Sequence, residues 1–207
     1  MEQHYTVLTG DLVSSRALSA EALEQAMNAL AQTAEGIALW AGPTRYSRHR
    51  GDGWQLAFAG GHFVLRAALV MRAGLRAEGR AFSTRIGMAQ GPGTIPADGD
   101  LNRADGAAFV AAGDALDALG PGEGGLGHAG GGTLQALARL ADQISAGWTP
   151  AQAQAAAPLL APDPPTHAEV ASRLGKSRQA VDQAAQGAGL SALRAALSLA
   201  EAERADA

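Results

Sequence analysis

Apolar and polar positions change period repeatedly along the first two thirds of the chain. Tyr5-Thr-Val-Leu-Thr9 is apolar and β-branched and runs into Gly10-Asp11, the pattern of a buried strand that ends at a loop, so Asp11 is expected at the strand's exit. Behind Ser19, whose hydroxyl can accept from a free N–H, Leu23, Met27, Leu30, Ala34 and Ile37 recur at helical spacing as far as Gly42-Pro43 and predict a helix over 20–40. Residues 45–50 and 54–58 read as two strands around Gly51-Asp52-Gly53; Asp-Gly is a strong hairpin signal and puts Asp52 at the tip. Phe63, Leu65, Ala68, Leu69, Met71 and Leu75 predict a second helix over 62–78, with Gly79 just beyond it, and 82–88 reads as a strand. Residues 89–106 are rich in glycine and proline and read as a long polar loop or a loose hairpin, followed by a helix over 106–118.

The glycine-rich stretch 120–132 is either a linker or a final weak strand around 126–129, and a first domain is expected to end near residue 130. Beyond it the pattern is helical over 134–144 and 150–160, breaks at Pro162-Asp-Pro-Pro165, and resumes to about 202. The order β-α-β-β-α-β-α interrupts simple βα alternation with a hairpin. It predicts an α+β fold with helices on one face of a mainly antiparallel sheet in residues 1–130, and a small all-α domain in 131–207.

Composition narrows the partners. The 207 residues carry a formal net charge of -4, so no global basic field draws nucleic acid, and any DNA contact must be local. Cysteine is absent, which excludes disulfides and thiolate metal sites. The start MEQHYTVLTG lacks a basic stretch followed by an apolar run, and the nearest approach to a span of ~18 apolar residues is broken by Arg66, Arg72 and Arg76, so a cytoplasmic protein without membrane contact is expected.

The candidate chemistry lies in two turn-type residues. An Asp after a strand and an Asp before Gly are each ordinary loop residues. On the expected sheet, however, a strand end and an adjacent hairpin tip lie side by side, and two carboxylates there repel unless a cation neutralises them. Mg²⁺ (or Mn²⁺) suits that position because it takes hard oxygen ligands, often one or two carboxylates with water and substrate phosphates. Asp11 and Asp52 are the candidate metal ligands, with the Leu12 carbonyl as a third. Ser14 and Ser15, through N–H groups in a tight turn, and Gly51 are candidates for nucleotide phosphate.

Four blocks then carry a resemblance: Thr9-Gly-Asp-Leu-Val-Ser-Ser15, Arg48-His-Arg-Gly-Asp-Gly-Trp54, Thr84-Arg-Ile-Gly-Met-Ala-Gln-Gly91 and Gly106-Ala-Ala-Phe-Val-Ala-Ala-Gly-Asp-Ala-Leu-Asp117. In this order they resemble the catalytic domain of class III nucleotidyl cyclases, and more closely the SatD-like bacterial proteins, which join such a domain to a helix-turn-helix. The resemblance implies a cyclase or palm-like sheet, two metal-holding aspartates at Asp11 and Asp52, and a homodimer, because the family builds its site across two chains. It places Arg48 where adenylyl cyclases carry a base-selecting lysine, and guanidinium is no neutral replacement for ammonium. It also places Val110 and Asp114 where the family has an asparagine and an arginine that steady the transition state. Loss of such an arginine typically costs on the order of 10³ or more in rate. Asn102 and Arg103, in the loop just before, are the candidate substitutes.

Thr166 to Gln186 has the layout of a helix-turn-helix, with Thr166 as cap, Ala171 at the helix crossing and Gly175 in the turn. A second helix from Ser177 would present Ser177, Arg178, Gln179 and Gln183 to base edges, with Lys176 toward phosphate. Against this, Arg173, Lys176, Arg178, Arg194 and Arg204 are outnumbered by Asp163, Glu169, Asp182, Glu201, Glu203 and Asp206, and Asp182 is expected to face the nucleic acid unfavourably. A packing or dimerisation module of the same shape is the alternative. Three functions follow: a nucleotide- and Mg²⁺-binding regulator with a DNA-binding tail, an active nucleotidyl cyclase or nucleotidyltransferase, and a DNA-binding protein with an inert dimerisation domain.

Overall fold

The computed structural model describes residues 3–49, 51–120 and 125–205; Arg50, on which part of the expected hairpin falls, and 121–124, part of the expected linker, lie outside the described residues. The apolar run at the start forms β1 (Gln3–Leu12), which continues through Gly10-Asp11 instead of ending there. Gly10 is a packing slot: a Cβ at that position would stand 2.5 Å from the Trp54 indole and 2.7 Å from the Arg85 carbonyl. Only glycine lets the large ring lie against the strand. Asp11 is therefore a strand residue, paired with Gly53 of β3 (Gly53–Ala59) on one side and Arg85 of β4 (Thr84–Gly93) on the other. With β2 (Thr44–His49) and β5 (Gly125–His128), the strands form a five-stranded sheet in the order β2-β3-β1-β4-β5, antiparallel except for β4 and β5.

Alternation along the strands gives the sheet two covered faces. Leu8, Leu56 and Met88 point to the face carried by α1 (Ala20–Ala41) and α2 (Val64–Ala77). Ser19 caps α1 by accepting from the Ala22 N–H. Val7, Ala57 and Ala89 point the other way and pack with Ala108, Phe109 and Ala112 of α3 (Ala107–Asp117) and with Leu101 of a short 3-10 turn. The expected placement of helices on one face holds for α1 and α2; α3 covers the opposite one. The reason lies in β4, which takes up the first five residues of the expected loop. Its α3-facing positions are Gly87, Ala89, Gly91 and Gly93, and at Gly87 a Cβ would come within 2.2 Å of the Ala112 carbonyl. Small residues at alternate positions let the helix backbone sit directly on the strand. Thr94 and Asp105 then close the rest of the loop as an antiparallel bridge.

The remaining helices are α4 (Gly132–Ala146), α5 (Pro150–Leu159), α6 (His167–Leu174), α7 (Arg178–Gly187) and α8 (Leu190–Ala205). Ala155, Leu159, Val170, Val181, Leu193 and Leu197 join the hydrophobic cluster that includes α2. Burial of α2 is nearly complete around its circumference, and it includes two arginines. Arg66, 3% exposed, donates to both carboxylate oxygens of Glu201 at 2.7 Å and to the Leu160 carbonyl at 2.6 Å. Arg72 donates to the Ser145 hydroxyl at 2.7 Å and stands 2.7 Å from an Asp142 carboxylate oxygen. Burial pushes the Arg72 pKa down, and Asp142 opposes that shift. Among the described residues no helix is long and apolar enough to cross a membrane.

Two substitutions test this packing by urea unfolding. Gly87→Ala is expected to destabilise by about 1–3 kcal/mol, because the added methyl meets the α3 backbone. Gly36→Ala, on α1 where a Cβ meets nothing within 4 Å, is expected to stabilise by about 0.5–1 kcal/mol. In the buried pair, Arg66→Ala is expected to cost about 3–5 kcal/mol by stranding Glu201, and the apolar double variant Arg66→Met with Glu201→Leu to recover most of it.

Candidate functional site

A chain of buried hydrogen bonds fixes the end of β1. The Trp54 indole N–H donates to the Thr84 hydroxyl at 3.1 Å, and that hydroxyl donates to the Asp11 carbonyl at 2.7 Å. With its backbone so held, Asp11 projects toward its register partner Arg85. Nε of Arg85 donates to Asp11 Oδ1 at 2.9 Å, Nη2 to Oδ2, and Nη1 to the Gly120 carbonyl just past α3. The arginine's pKa is raised, first by the hydrogen bond to Asp11, against burial, and then by the charges of Asp11, Asp117 and Asp52. Asp11 is thus paired directly with the guanidinium, and the charges of Asp52 and Asp117 act on it from farther away.

Asp52 reaches the same end of the sheet from the hairpin. Its carbonyl accepts from the Leu12 N–H at 3.2 Å, which ties the Leu12 backbone beside it, and its carboxylate accepts from the Ser15 hydroxyl. The turn that delivers Ser15 is tight: Ser14 has φ +56°, the one non-glycine residue with positive φ among those described. A left-handed serine costs roughly 1–2 kcal/mol relative to ordinary backbone.

The donor set suits a hard divalent cation. Each carboxylate oxygen has two lone pairs; Arg85 takes one on each oxygen of Asp11 and Ser15 one on Asp52, so acceptors remain on both. Among the described residues no group of three or more His, Asp or Glu side chains has metal-holding geometry, so a cation here would draw on two carboxylates, backbone carbonyl and non-protein oxygens.

Other candidates lie around this core. Arg48 alternates to the α1 side of β2, where it pairs with Glu24 at 2.6 Å and donates to the Gly51 carbonyl at 2.8 Å; Gly51 makes the hairpin turn with φ +81°. His49, in the Asp11 row, bonds Asn102 at 2.6 Å, and Asn102 also donates to the Arg48 carbonyl at 3.1 Å. Arg103 pairs with Asp98 and Asp100. Val110 is 61% exposed and Asp114 is exposed on α3. Among the described residues, no hydrogen bond or ion pair joins Asn102, Arg103, Val110 or Asp114 to the Asp11–Arg85–Asp52 group.

In the tail, Thr166 and Glu169 form a reciprocal cap on α6, and Gly175 ends it with φ +62°. Ser177 caps α7, Lys176 donates to the Gln154 side chain at 2.7 Å, and Arg178, Gln179 and Gln183 are exposed. The Asp182 carboxylate meets His167 Nδ1 at 2.5 Å on α6 and lies 3.8 Å from Arg178, one turn before it on the same face of α7. Asp182, with its side chain 46% exposed, keeps its negative charge beside Arg178 on this surface.

Two residues of the cluster escaped the sequence reading. Arg85 stood within a quoted block without a role, although a lone cation in an otherwise uncharged strand is a signal. Asp117 approaches only because α3 lies on β4. No family model and no curated protein matches this chain. Among solved structures, the chain is similar to the guanylyl cyclase Cya2, with 18% identity, TM-score 0.44, and coverage of 57% of this chain and 71% of that one. It is also similar to the adenylyl cyclase CyaB from P. aeruginosa, with 24% identity, TM-score 0.41, and coverage of 61% and 77%. An adenylate/guanylate cyclase/hydrolase from Silicibacter pomeroyi is similar at 21% identity, TM-score 0.41, and coverage of 59% and 73%.

Removing the central cation tests the charge balance. Arg85→Gln in metal-free buffer is expected to lower stability by about 1–3 kcal/mol, since Asp11 loses a charge-assisted pair beside two other carboxylates. Mn²⁺ or Mg²⁺ is expected to restore more of the thermal midpoint in this variant than in the parent.

Proposed function

We propose that residues 1–130 bind a nucleoside triphosphate or related nucleotide together with Mg²⁺ or Mn²⁺, and that the chain is a homodimeric regulator whose helical tail in 131–207 contacts DNA. The observation that carries the first half is the placement of Asp11 and Asp52 at neighbouring strand ends, tied by the bond from the Leu12 N–H to the Asp52 carbonyl. Asp11, Asp52 and the Leu12 carbonyl would hold the cation, which when bound neutralises phosphate oxygens. Ser14, Ser15 and Gly51 lie in the two turns flanking that position and would face the phosphates. Arg48, released from Glu24, would meet a phosphate or a base keto group.

Binding is favoured over turnover by what α3 presents. Nucleotidyl transfer depends on positioned cations that neutralise charge developing on the phosphate oxygens, and the positions the resemblance assigns to that task hold Val110 and Asp114. For the tail, the exposure of Arg178, Gln179 and Gln183 along one helix, with one oxygen of Asp182 engaged by His167, supports contact with base edges, and Lys176 and Ser177 at the helix start support contact with phosphate.

A panel of nucleoside triphosphates with and without Mg²⁺ or Mn²⁺, read by thermal unfolding, tests the site. One nucleotide is expected to raise the midpoint only when metal is present, and the rise is expected to vanish in Asp52→Ala. No metal-dependent rise with any nucleotide would leave the domain as a scaffold. A cyclic or oligomeric product that disappears in Asp52→Ala would overturn the binding-only reading in favour of an active nucleotidyl cyclase. For the tail, DNA from upstream of the chain's own gene is expected to shift in a salt-dependent way, and Arg178→Ala to abolish the shift.

A further inference from the structure

Away from the acidic cluster, α6, α7 and α8 enclose a groove of about 510 Å³ whose lining includes His167, Asp182, Gln186, Ser191, Arg194 and Ser198. Its size falls within the range of roughly 300–1,000 Å³ typical of small-molecule sites. Ser191, Arg194 and Ser198 are spaced three and four residues apart, so they share one face of α8, while Leu193 and Leu197 turn into the core.

The charges in this groove are unevenly matched. Its one acid, Asp182, is already engaged on one oxygen by His167 and approached on the other side by Arg178. Arg194, half-buried, has no hydrogen bond or ion pair with another described residue. A guanidinium carries five N–H donors and no acceptor, and the two serines flanking it offer hydroxyl donors. With Nδ1 held by Asp182, His167 has Nε2 as its remaining hydrogen-bonding atom. The complement of such a wall is a group rich in oxygen acceptors and negative charge.

We propose that this groove binds a small oxyanion, a phosphate or carboxylate group of a small molecule, received by Arg194 with the hydroxyls of Ser191 and Ser198 and bordered by His167. The site stands apart from the Asp11–Asp52 cluster and does not rest on the nucleotide reading. It also adjoins α7, because the carboxylate that holds His167 lies 3.8 Å from Arg178 on the exposed side of that helix. Occupancy of the groove and the position of Arg178 therefore share Asp182 as a common partner.

The full chain is titrated with inorganic phosphate, glycerol phosphate and acetate by calorimetry and thermal unfolding, with ionic strength held constant by chloride. Saturable binding of at least one probe is expected, with a preference that separates phosphate from carboxylate and free ion from monoester. Arg194→Gln is expected to weaken it by roughly tenfold or more, and Arg194→Lys, which keeps the charge but loses the planar fork, to weaken it less. Asp52→Asn is expected to leave it unchanged. Absence of binding by all three probes overturns the proposal, as does binding that survives Arg194→Gln or disappears in Asp52→Asn, since the anion would then sit elsewhere. If circular dichroism shows Arg194→Gln unfolded, Ser198→Ala replaces it: weaker binding supports the site and unchanged binding overturns it.

Discussion

The Asp11–Arg85 pair is the contact on which the end of the sheet depends. It is set by register: the two residues are partners across β1 and β4, so once those strands align the fork of the guanidinium lies opposite the carboxylate. The pair is only partly exposed, 15% for the arginine and 28% for the aspartate, and its desolvation is offset by the geometry and by the Gly120 carbonyl that takes a further N–H. Through that carbonyl the same arginine also fixes the exit of α3. A single side chain thereby joins the central strand, the helix on the open face and the acidic cluster, and removing it would loosen all three together.

A second set of buried charges joins the sheet to the tail. Arg66 and Arg72 lie six residues apart on α2, and each reaches out of the sheet-bound helix into the C-terminal helices, one to Glu201 and the Leu160 carbonyl, the other to Asp142 and Ser145. Buried ion pairs of this kind contribute little net stability compared with apolar packing but are costly to break singly. Their effect is to fix position. The tail cannot slide along α2 without stranding a charge in the core.

Elements with a clear period were legible in the sequence, because Met27, Leu30, Ala34 and Ile37 share one face only on a helix, and the neighbours Val7 and Leu8 are both buried only on a strand that packs on both faces. Glycine was the main source of error. Gly10 reads as a stop signal, and Gly91 and Gly93 as part of a loop, because backbone permissiveness and close packing leave the same letter in the sequence. Which of the two applies depends on what lies above the residue, here Trp54 and α3, and that is tertiary information. The site shows the same division. Asp11 and Asp52 could be placed from strand ends and the hairpin signal, whereas the partner that sets their charge, Arg85, depends on register, and Asp117 on the path of α3. On the tail, Asp182 could not be oriented without knowing that His167 stands one helix away.

The charge balance at the sheet end also bears on the proposed preference for binding over turnover. Arg85 offers five N–H donors, and three of its nitrogens already donate to Asp11 and the Gly120 carbonyl. Its charge is matched by the carboxylate it holds, so it adds little toward a new anion. A divalent cation held by Asp11 and Asp52 would supply the open coordination positions that a phosphate oxygen needs. A transition state that gathers further charge on its oxygens needs another cation, and the α3 positions that the resemblance assigns to that task hold exposed Val110 and Asp114. On the proposed reading, such a site favours seating a metal-bound nucleotide over transforming it.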